Sequence, residues 1–253
     1  MVDNPRIVID DDLAVISFGR PERANALSRE DKAAVAATIA GVSVDDARAI
    51  VLTGLPSRAF CAGSDIDQMS TFGAEEMRAM LEHERALFES ILRSPLPVVG
   101  AVNGAAMGAG FITAMCCDHL VASELASFAL PELGIGVSIP LHGFLLPFIT
   151  GLTRARDMYY RQTRLDAATA LEHGIVNEVH PADVHLEVAK ERAREMGRIE
   201  GDAFRIQKRL LNHTLLANLV DDVVEVSMAE SSIPFASGGP GERMRAVRSA
   251  RKG

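Results

Sequence analysis

Glu132 is the residue of this sequence whose type and surroundings best suit acid–base chemistry. It stands in the apolar segment FALPELGIG, residues 128–136. A carboxyl group desolvated by apolar neighbours has a raised pKa, which a general acid or base working near neutral pH requires. A glutamate at a strand edge that points into water is the structural alternative, and it is the common outcome for an isolated glutamate.

Two other segments have the composition of ligand-binding turns: FCAGSDI at residues 60–66 and NGAAMGAG at residues 103–110. Small residues allow a ligand to approach the backbone, and a helix that begins there presents unpaired N–H groups. Two such ends facing one point would form an oxyanion hole. Each turn alone is more typical of a tight turn packed under a core. Neither matches a phosphate loop or a dinucleotide fingerprint.

The elements that must position these segments alternate between strand and helix. Residues 6–10 and 13–18 predict a hairpin, and a helix begins after Ser28, with Asp31 completing a capping box. Further strands are predicted over residues 48–53, 97–102 and 119–123, and helices over 74–93, 111–117, 187–197 and 202–216. This order favours an α/β fold with crossover connections.

Composition narrows the classes of function. The chain has 253 residues, 48% of them hydrophobic, and a net charge of −8, which disfavours a nucleic-acid partner. Cys61, Cys116 and Cys117 are odd in number and lack C-x-x-C spacing, so we expect reduced thiols and no metal site. No signal peptide and no apolar run of about 18 residues is found, which predicts a cytoplasmic protein without a membrane partner.

Together the segments resemble the crotonase (enoyl-CoA hydratase/isomerase) superfamily. AFCAGSDI resembles its A-F-x-A-G-x-D-[LI] motif, and NGAAMGAGFITAMCCD resembles its N-G-x-A-x-G-G-G-x-x-x-x-x-x-x-D motif. SFALPELGIG resembles F-x-x-P-E-x-x-x-G, while RANALS and GIVNEV match flanking segments. The likeness runs in order from about Ile7 to the final RMRAVRSARK.

The resemblance implies a spiral of β-β-α units over residues 1–195 and a helical trimerisation region over residues 196–253. A homotrimer or a dimer of trimers is therefore expected. By motif position, the backbone N–H groups of Ser64 and Ala109 would hold the thioester carbonyl of an acyl-CoA. Coenzyme A would enter only as part of this substrate, with no permanently bound cofactor. The expected coenzyme A contacts are Arg23, Ala24, Ala26, Ala62, Gly63, Asp65 and Ile66.

One departure from the family pattern bears on the reaction. Hydratases of this family carry two glutamates; here the second is Glu132 and the first position holds Ile112. Adding water needs a group that activates the water and a proton for carbon, which one carboxylate serves poorly. A single carboxylate suffices for a 1,3-proton shift, so the resemblance favours a 3-enoyl-CoA to 2-enoyl-CoA isomerase.

Three alternatives stay open. A hydratase could use a substitute acid from Glu76, Glu82 or Glu84. MGAGF followed by LPELGIGVS is similar to the carboxymethylproline synthases, which decarboxylate malonyl-CoA and trap the enolate. The third alternative is a scaffold that binds CoA esters without turnover. The retained Glu132 disfavours it.

The acyl pocket is expected to be apolar and to suit a hydrocarbon chain. His142 in it could be a spare acid or base or a leaving-group binder, although a histidine packed on a helix is the favoured interpretation. Asp118 is expected to hold the start of a strand. The expected pocket residues are Gly108, Ile112, Pro131, Val137, Ile139, Pro140 and His142.

Overall fold

The computed structural model describes residues 5–250 and has an α/β fold with two sheets. The strands are β1 (Arg6–Asp10), β2 (Leu13–Ser17), β3 (Ala49–Thr53), β4 (Val98–Val102), β5 (Ala105–Met107), β6 (His119–Ser123), β7 (Ser127–Ala129), β8 (Leu165–Asp166) and β9 (Glu178–His180). The helices are α1 (Arg29–Ala40), α2 (Ile66–Met69), α3 (Ala74–Leu92), α4 (Ala109–Met115), α5 (Pro140–Thr150), α6 (Leu152–Arg161), α7 (Ala167–Glu172), α8 (His185–Gly197), α9 (Gly201–Leu211), α10 (His213–Leu219), α11 (Asp222–Ala236) and α12 (Gly239–Ala250). Short 3₁₀ turns cover Pro21–Arg23 and Glu132–Ile135.

The large sheet has the strand order β1-β2-β3-β4-β6-β9. The predicted hairpin is confirmed, since β1 pairs antiparallel with β2, and every later pairing in this sheet is parallel. Strands β3 and β4 are buried along their whole length, because α8 packs on one face of the sheet and the side chains of the other face belong to the main hydrophobic core. The predicted crossover connections are therefore confirmed.

A small sheet of order β5-β7-β8 lies beside the large one. The chain passes from β4 into β5, through α4, and back into β6, so the strands from β4 to β7 alternate between the two sheets. This is the expected β-β-α repetition. The small sheet carries both the Gly-rich turn after β5 and the segment that leads from β7 to Glu132.

Helices α1 and α3 pack against each other over the functional region. The Ser28 hydroxyl accepts from the N–H of Asp31 at 3.1 Å and the Asp31 carboxylate accepts from the N–H of Ser28 at 2.9 Å, so the predicted capping box is confirmed. The apolar stripe of α3 is buried as predicted, and Glu84 lies within it. Lys32 is buried on the facing side of α1.

The C-terminal part is helical as expected, with one correction. The helix predicted over residues 202–216 is two helices, α9 and α10, separated at Asn212. The Asn212 side-chain amide donates to the carbonyl of Leu92 at 3.0 Å, which ties the break to the end of α3. The last helix, α12, returns to the core, where Arg243 donates to the carbonyl of Ile135 at 2.9 Å.

The proposed division between residues 195 and 196 falls near the end of α8, whose Ala189 and Ala193 pack under the large sheet. This division stays a prediction, and its outer ends, residues 1–4 and 251–253, lie outside the described residues. Within residues 5–250, no helix is long and apolar enough to cross a membrane, and no cluster of three or more metal-ligating side chains occurs.

Candidate active site

The two small-residue turns are residues 60–66, called the first turn, and residues 103–110, called the second turn. They meet at one place. Cys61 donates its backbone N–H to Ala105 at 3.1 Å, and its carbonyl accepts from Met107 at 2.9 Å. Gly63 has a φ of +91°, and a Cβ there would lie 2.6 Å from the Met107 carbonyl oxygen and 3.5 Å from the Ala109 nitrogen. A side chain at position 63 would therefore separate the turns, and glycine allows them to touch.

The predicted oxyanion donors lie on these touching turns. Ala109 is the first residue of α4, where a backbone N–H has no partner within its own helix. Of the hydrogen bonds formed within residues 5–250, none uses the backbone N–H of Ser64 or Ala109, whereas their neighbours Asp65 and Gly108 donate to Leu27 and Ala129. The two N–H groups are thus available to an oxygen placed between the turns. Their assignment as an oxyanion hole stays a prediction.

Asn25 holds the backbone at the start of the first turn by hydrogen bonds. The motif RANALS did not predict this role. Asn25 has a left-handed φ of 55°, and its buried side-chain amide donates to the carbonyls of Gly54 at 2.7 Å and Phe60 at 3.0 Å. Arg20 adds a second tie, since its guanidinium contacts Asp65 at 2.8 Å. The backbone that presents Ser64 is therefore held on both sides.

A groove of about 850 Å³ opens beside the first turn. Its lining includes six of the seven predicted coenzyme A residues: Arg23, Ala24, Ala26, Ala62, Asp65 and Ile66. Gly63 does not line it and lies instead against Met107. Arg23 is half-exposed and forms an ion pair with Asp67 at 2.8 Å, and Pro131 lines the end of the groove nearest Glu132.

Glu132 begins the 3₁₀ turn after β7 and lies directly over the second turn. Gly108 has a φ of +52°, and a Cβ at this position would overlap the Glu132 carboxylate. The Oε2 atom of Glu132 is buried and has no hydrogen-bond partner. One oxygen of the carboxylate therefore has no hydrogen-bond partner within the described residues.

His142 lies next to this carboxylate. Its Nδ1 is 3.4 Å from Glu132 Oε1, longer than an ordinary N–H···O hydrogen bond, and its Nε2 is 2.7 Å from Glu84 Oε1. Burial opposes the charged imidazolium, but the carboxylates of Glu84 and then Glu132 outweigh it and raise the pKa of His142 to about 9. His142 is packed on a helix, as the sequence favoured, and it is also a buried cation beside the candidate base.

Lys32 and Glu84 extend this contact to the first turn. Both side chains are fully buried; Glu84 forms an ion pair with Lys32, and the Lys32 ammonium donates to the Ser64 hydroxyl at 2.7 Å. Burial opposes ionisation of Glu84, yet Lys32 and then His142 lower its pKa to about 2. These contacts form a continuous series, which we call the buried ionic chain: Ser64, Lys32, Glu84, His142 and Glu132. It connects the candidate oxyanion turn to the candidate base.

The three glutamates considered as substitute acids are placed elsewhere. Glu76 accepts from the backbone N–H of Gly73 at 3.0 Å, and Glu82 lies on the exposed side of α3, 3.6 Å from Arg85. Glu84 is near His142 but does not line the cavity beside Glu132. An ionised carboxylate with a pKa of about 2 also has no proton to deliver at neutral pH.

Ile112 packs in the hydrophobic core. It is fully buried and lines a small void with Phe88, Leu141 and Leu145, because α4 directs it toward α3 and α5. Neither the coenzyme A groove nor the cavity beside Glu132 is lined by Ile112. Its expected role as a pocket residue stays a prediction.

A cavity of about 370 Å³ lies beyond Glu132, where an acyl chain would extend. The predicted pocket residues Val137, Ile139, Pro140 and His142 line it together with Glu132. Helix α6 adds Arg156 and Tyr159, which the sequence analysis did not single out. The Tyr159 hydroxyl is buried without a partner, and burial and then the charges of Glu132 and Glu84 raise its pKa.

Comparison with known proteins identifies the family of this chain. The model of the enoyl-CoA hydratase/isomerase family matches residues 9–233. The chain belongs to the enoyl-CoA hydratase/isomerase family. Crotonyl-CoA hydratase of Syntrophomonas wolfei is 30% identical over 96% of this chain and 94% of that protein. Carboxymethylproline synthase of Pectobacterium carotovorum is 27% identical over 89% of this chain and 90% of that protein.

Solved structures agree with this membership. An enoyl-CoA hydratase/isomerase from Mycobacterium paratuberculosis superposes with a TM-score of 0.85 at 25% identity, covering 97% of this chain and 99% of that one. This family member therefore has the crotonase fold that the sequence motifs predicted.

Periodicity could have found part of the buried ionic chain. Glu84 falls in phase with Met77, Met80, Leu81, Leu87 and Phe88 on one face of α3. A charged residue inside an apolar stripe requires a buried partner, because an unpaired charge is costly in a core. No comparable local signal singles out Arg156 or Tyr159.

Proposed function

We propose that this protein isomerises 3-enoyl-CoA esters to the conjugated 2-enoyl-CoA esters, with Glu132 as the only carboxylate acting on carbon. The observation that carries the proposal is the buried, unpartnered Oε2 of Glu132, a residue that lines the acyl cavity and lies against the second turn at Gly108. Within the described residues, no second carboxylate lines that cavity.

The proposed reaction begins when Oε2 removes a proton from C2 of the bound thioester. The electron pair moves onto the thioester oxygen, and the backbone N–H groups of Ser64 and Ala109 stabilise the resulting enolate. Each such donor is typically worth about 3 kcal/mol of transition-state stabilisation. Glu132 then returns the proton at C4, so that the double bond moves into conjugation and the carboxylate is regenerated.

The buried ionic chain supports this cycle. The imidazolium of His142 keeps a positive charge near Glu132, and Lys32 ties the Ser64 hydroxyl to the same network through Glu84. A base that must accept and release the same proton benefits from a fixed position, since small displacements reduce the rate strongly.

Hydration is the second candidate, and one contact favours it. His142 Nδ1, 3.4 Å from Glu132 Oε1, places another proton-bearing group beside the base. A water held between them could be deprotonated by Glu132 while His142 supplies the second acid. Relatives named as hydratases, such as that of Syntrophomonas wolfei, agree with this candidate.

The deciding experiment incubates the protein with 3-hexenoyl-CoA and with crotonyl-CoA in deuterated water and identifies the products by mass spectrometry. Conversion of the first ester to its conjugated isomer, without a 3-hydroxyacyl product from the second, supports isomerisation. Rapid hydration of crotonyl-CoA refutes it in favour of the second candidate. Deuterium exchange at C2 of a saturated ester without either reaction indicates decarboxylation or C–C bond formation, as in the carboxymethylproline synthase relative.

Turnover and binding are separated with Glu132→Gln, which keeps the shape of the side chain. Binding of CoA esters with no turnover in the wild type or in this variant would indicate the non-catalytic scaffold, whereas activity retained in the variant would exclude Glu132 as the base. Assembly as a homotrimer or a dimer of trimers and a cytoplasmic location stay predictions from the family resemblance.

A further inference from the structure

The acyl cavity contains an unusual concentration of unsatisfied polar atoms. Seven buried side-chain polar atoms within residues 5–250 lack a hydrogen-bond partner, and three of them belong to residues that line this one cavity. These three are Glu132 Oε2, His142 Nδ1 and Tyr159 Oη. Buried polar atoms are normally satisfied, so their convergence on one cavity indicates a ligand with polar groups of its own.

The proposed isomerisation accounts for only the first of these atoms. Glu132 Oε2 would face C2 of the acyl group. His142 Nδ1, which lies 3.4 Å from Glu132 Oε1, and Tyr159 Oη would find no hydrogen-bond partner on a hydrocarbon chain. Because His142 is a cation, Nδ1 presents an N–H, and the Tyr159 hydroxyl can donate as well. The cavity therefore offers donors to an acceptor on the substrate.

The charges around the cavity indicate that this acceptor is an anion. Along the buried ionic chain, the cations Lys32 and His142 balance the anions Glu84 and Glu132. Arg156 also lines the cavity, is exposed to solvent, and forms no ion pair with any residue in the described part of the chain. One positive charge at the mouth of the cavity is thus left without a counter-charge.

We propose that the acyl group bears a carboxylate at its far end, so that the substrate is the CoA thioester of a dicarboxylic acid. This inference rests on the acyl-CoA site proposed above and replaces the hydrocarbon chain expected from the sequence. The carboxylate accepts a hydrogen bond from the Tyr159 hydroxyl and forms an ion pair with Arg156. The imidazolium of His142 offsets the repulsion that a second anion would otherwise meet beside Glu132.

The pocket is tested by binding rather than turnover, with a pair of saturated esters that differ at one end. Hexanoyl-CoA ends in a methyl group and adipoyl-CoA, with the same six carbons, ends in a carboxylate. Titration calorimetry is expected to show adipoyl-CoA binding about tenfold more tightly, the usual effect of one charge-assisted contact. Arg156→Met and Tyr159→Phe each remove most of that preference and leave hexanoyl-CoA binding within about twofold.

Arg154→Met is the matched control, because Arg154 is an exposed arginine on the same helix that does not line the cavity. It is expected to leave both affinities unchanged. Equal affinity for the two esters, or a preference that survives in both Arg156→Met and Tyr159→Phe, overturns the proposal and leaves water as the partner of these atoms. Failure of the isomerase proposal is seen separately, when 3-hexenoyl-CoA is not converted to its conjugated isomer or when that conversion does not depend on Glu132. Binding of neither ester overturns both proposals.

Discussion

Replacement of Glu84 by glutamine removes the central anion of the buried ionic chain while keeping the size of the side chain. Glu84 is fully buried between the Lys32 ammonium and the His142 imidazolium. Removing one partner of a buried ion pair typically costs about 3–5 kcal/mol, because the remaining charge is left uncompensated. We expect Glu84→Gln to lose about 3 kcal/mol of unfolding free energy, a large share of the roughly 5–15 kcal/mol that stabilises a domain.

The same network predicts how stability depends on pH. The pKa of Glu84 is lowered from 4.5 to about 2, so its contribution is present above pH 4.5 and is lost as the pH falls through about 2. The pKa of His142 is raised from 6.5 to about 9, so its contribution is present below pH 6.5 and is lost as the pH rises through about 9. The network therefore stabilises the fold most between about pH 4.5 and 6.5.

Urea unfolding of the wild type and of Glu84→Gln is followed by circular dichroism from pH 4.5 to 9.5. It measures the free energy of unfolding that the substitution removes and the alkaline decline of stability that depends on His142. Loss of the Glu84 charge removes the largest cause that raises the pKa of His142 and leaves only Glu132 to oppose burial, so the decline of stability between pH 6.5 and 9 should be weaker in the variant. The matched control is Glu82→Gln on the exposed side of the same helix, for which we expect a change within about 0.5 kcal/mol. A loss below about 1 kcal/mol for Glu84→Gln, or an unchanged alkaline decline, would refute the reasoning.

Two further predictions concern the candidate base. Glu132→Gln should lower kcat by about 10²–10⁴-fold with unchanged binding of CoA esters, because an amide cannot take the C2 proton. The control is Glu124→Gln, at an exposed position. A decrease of kcat by less than tenfold in steady-state assays would exclude Glu132 as the base. Gly108→Ala should abolish isomerisation, because the new Cβ overlaps the Glu132 carboxylate, in addition to a folding cost of about 1 kcal/mol for the positive φ of 52°. The control is Gly174→Ala, which carries the same kind of backbone cost, since Gly174 has a φ of 71° and no atom lies near an added Cβ. Equal losses of kcat in the two variants would contradict displacement of Glu132.

Local sequence patterns determined much of this protein. The motifs around Gly63, Gly108 and Glu132 identify the family, and the structure brings the first two turns into contact with each other and the carboxylate over the second. Strand and helix order, the Ser28 capping box and the buried stripe of α3 follow from periodicity and from local hydrogen-bonding rules. Asp118 likewise holds a strand start, since its carboxylate accepts from the backbone N–H of Val98 at 2.8 Å.

Tertiary structure alone decided which side chains meet. Glu84 is 52 residues from Lys32 and 58 from His142, and these residues lie on three different helices. Periodicity placed Glu84 on a buried face, but the identity of its partners depends on how α1, α3 and α5 are rotated against one another. For the same reason, Ile112 points into the core and Arg156 and Tyr159 reach the acyl cavity. Spacing along a chain specifies the face of an element, whereas packing between elements specifies what that face contacts.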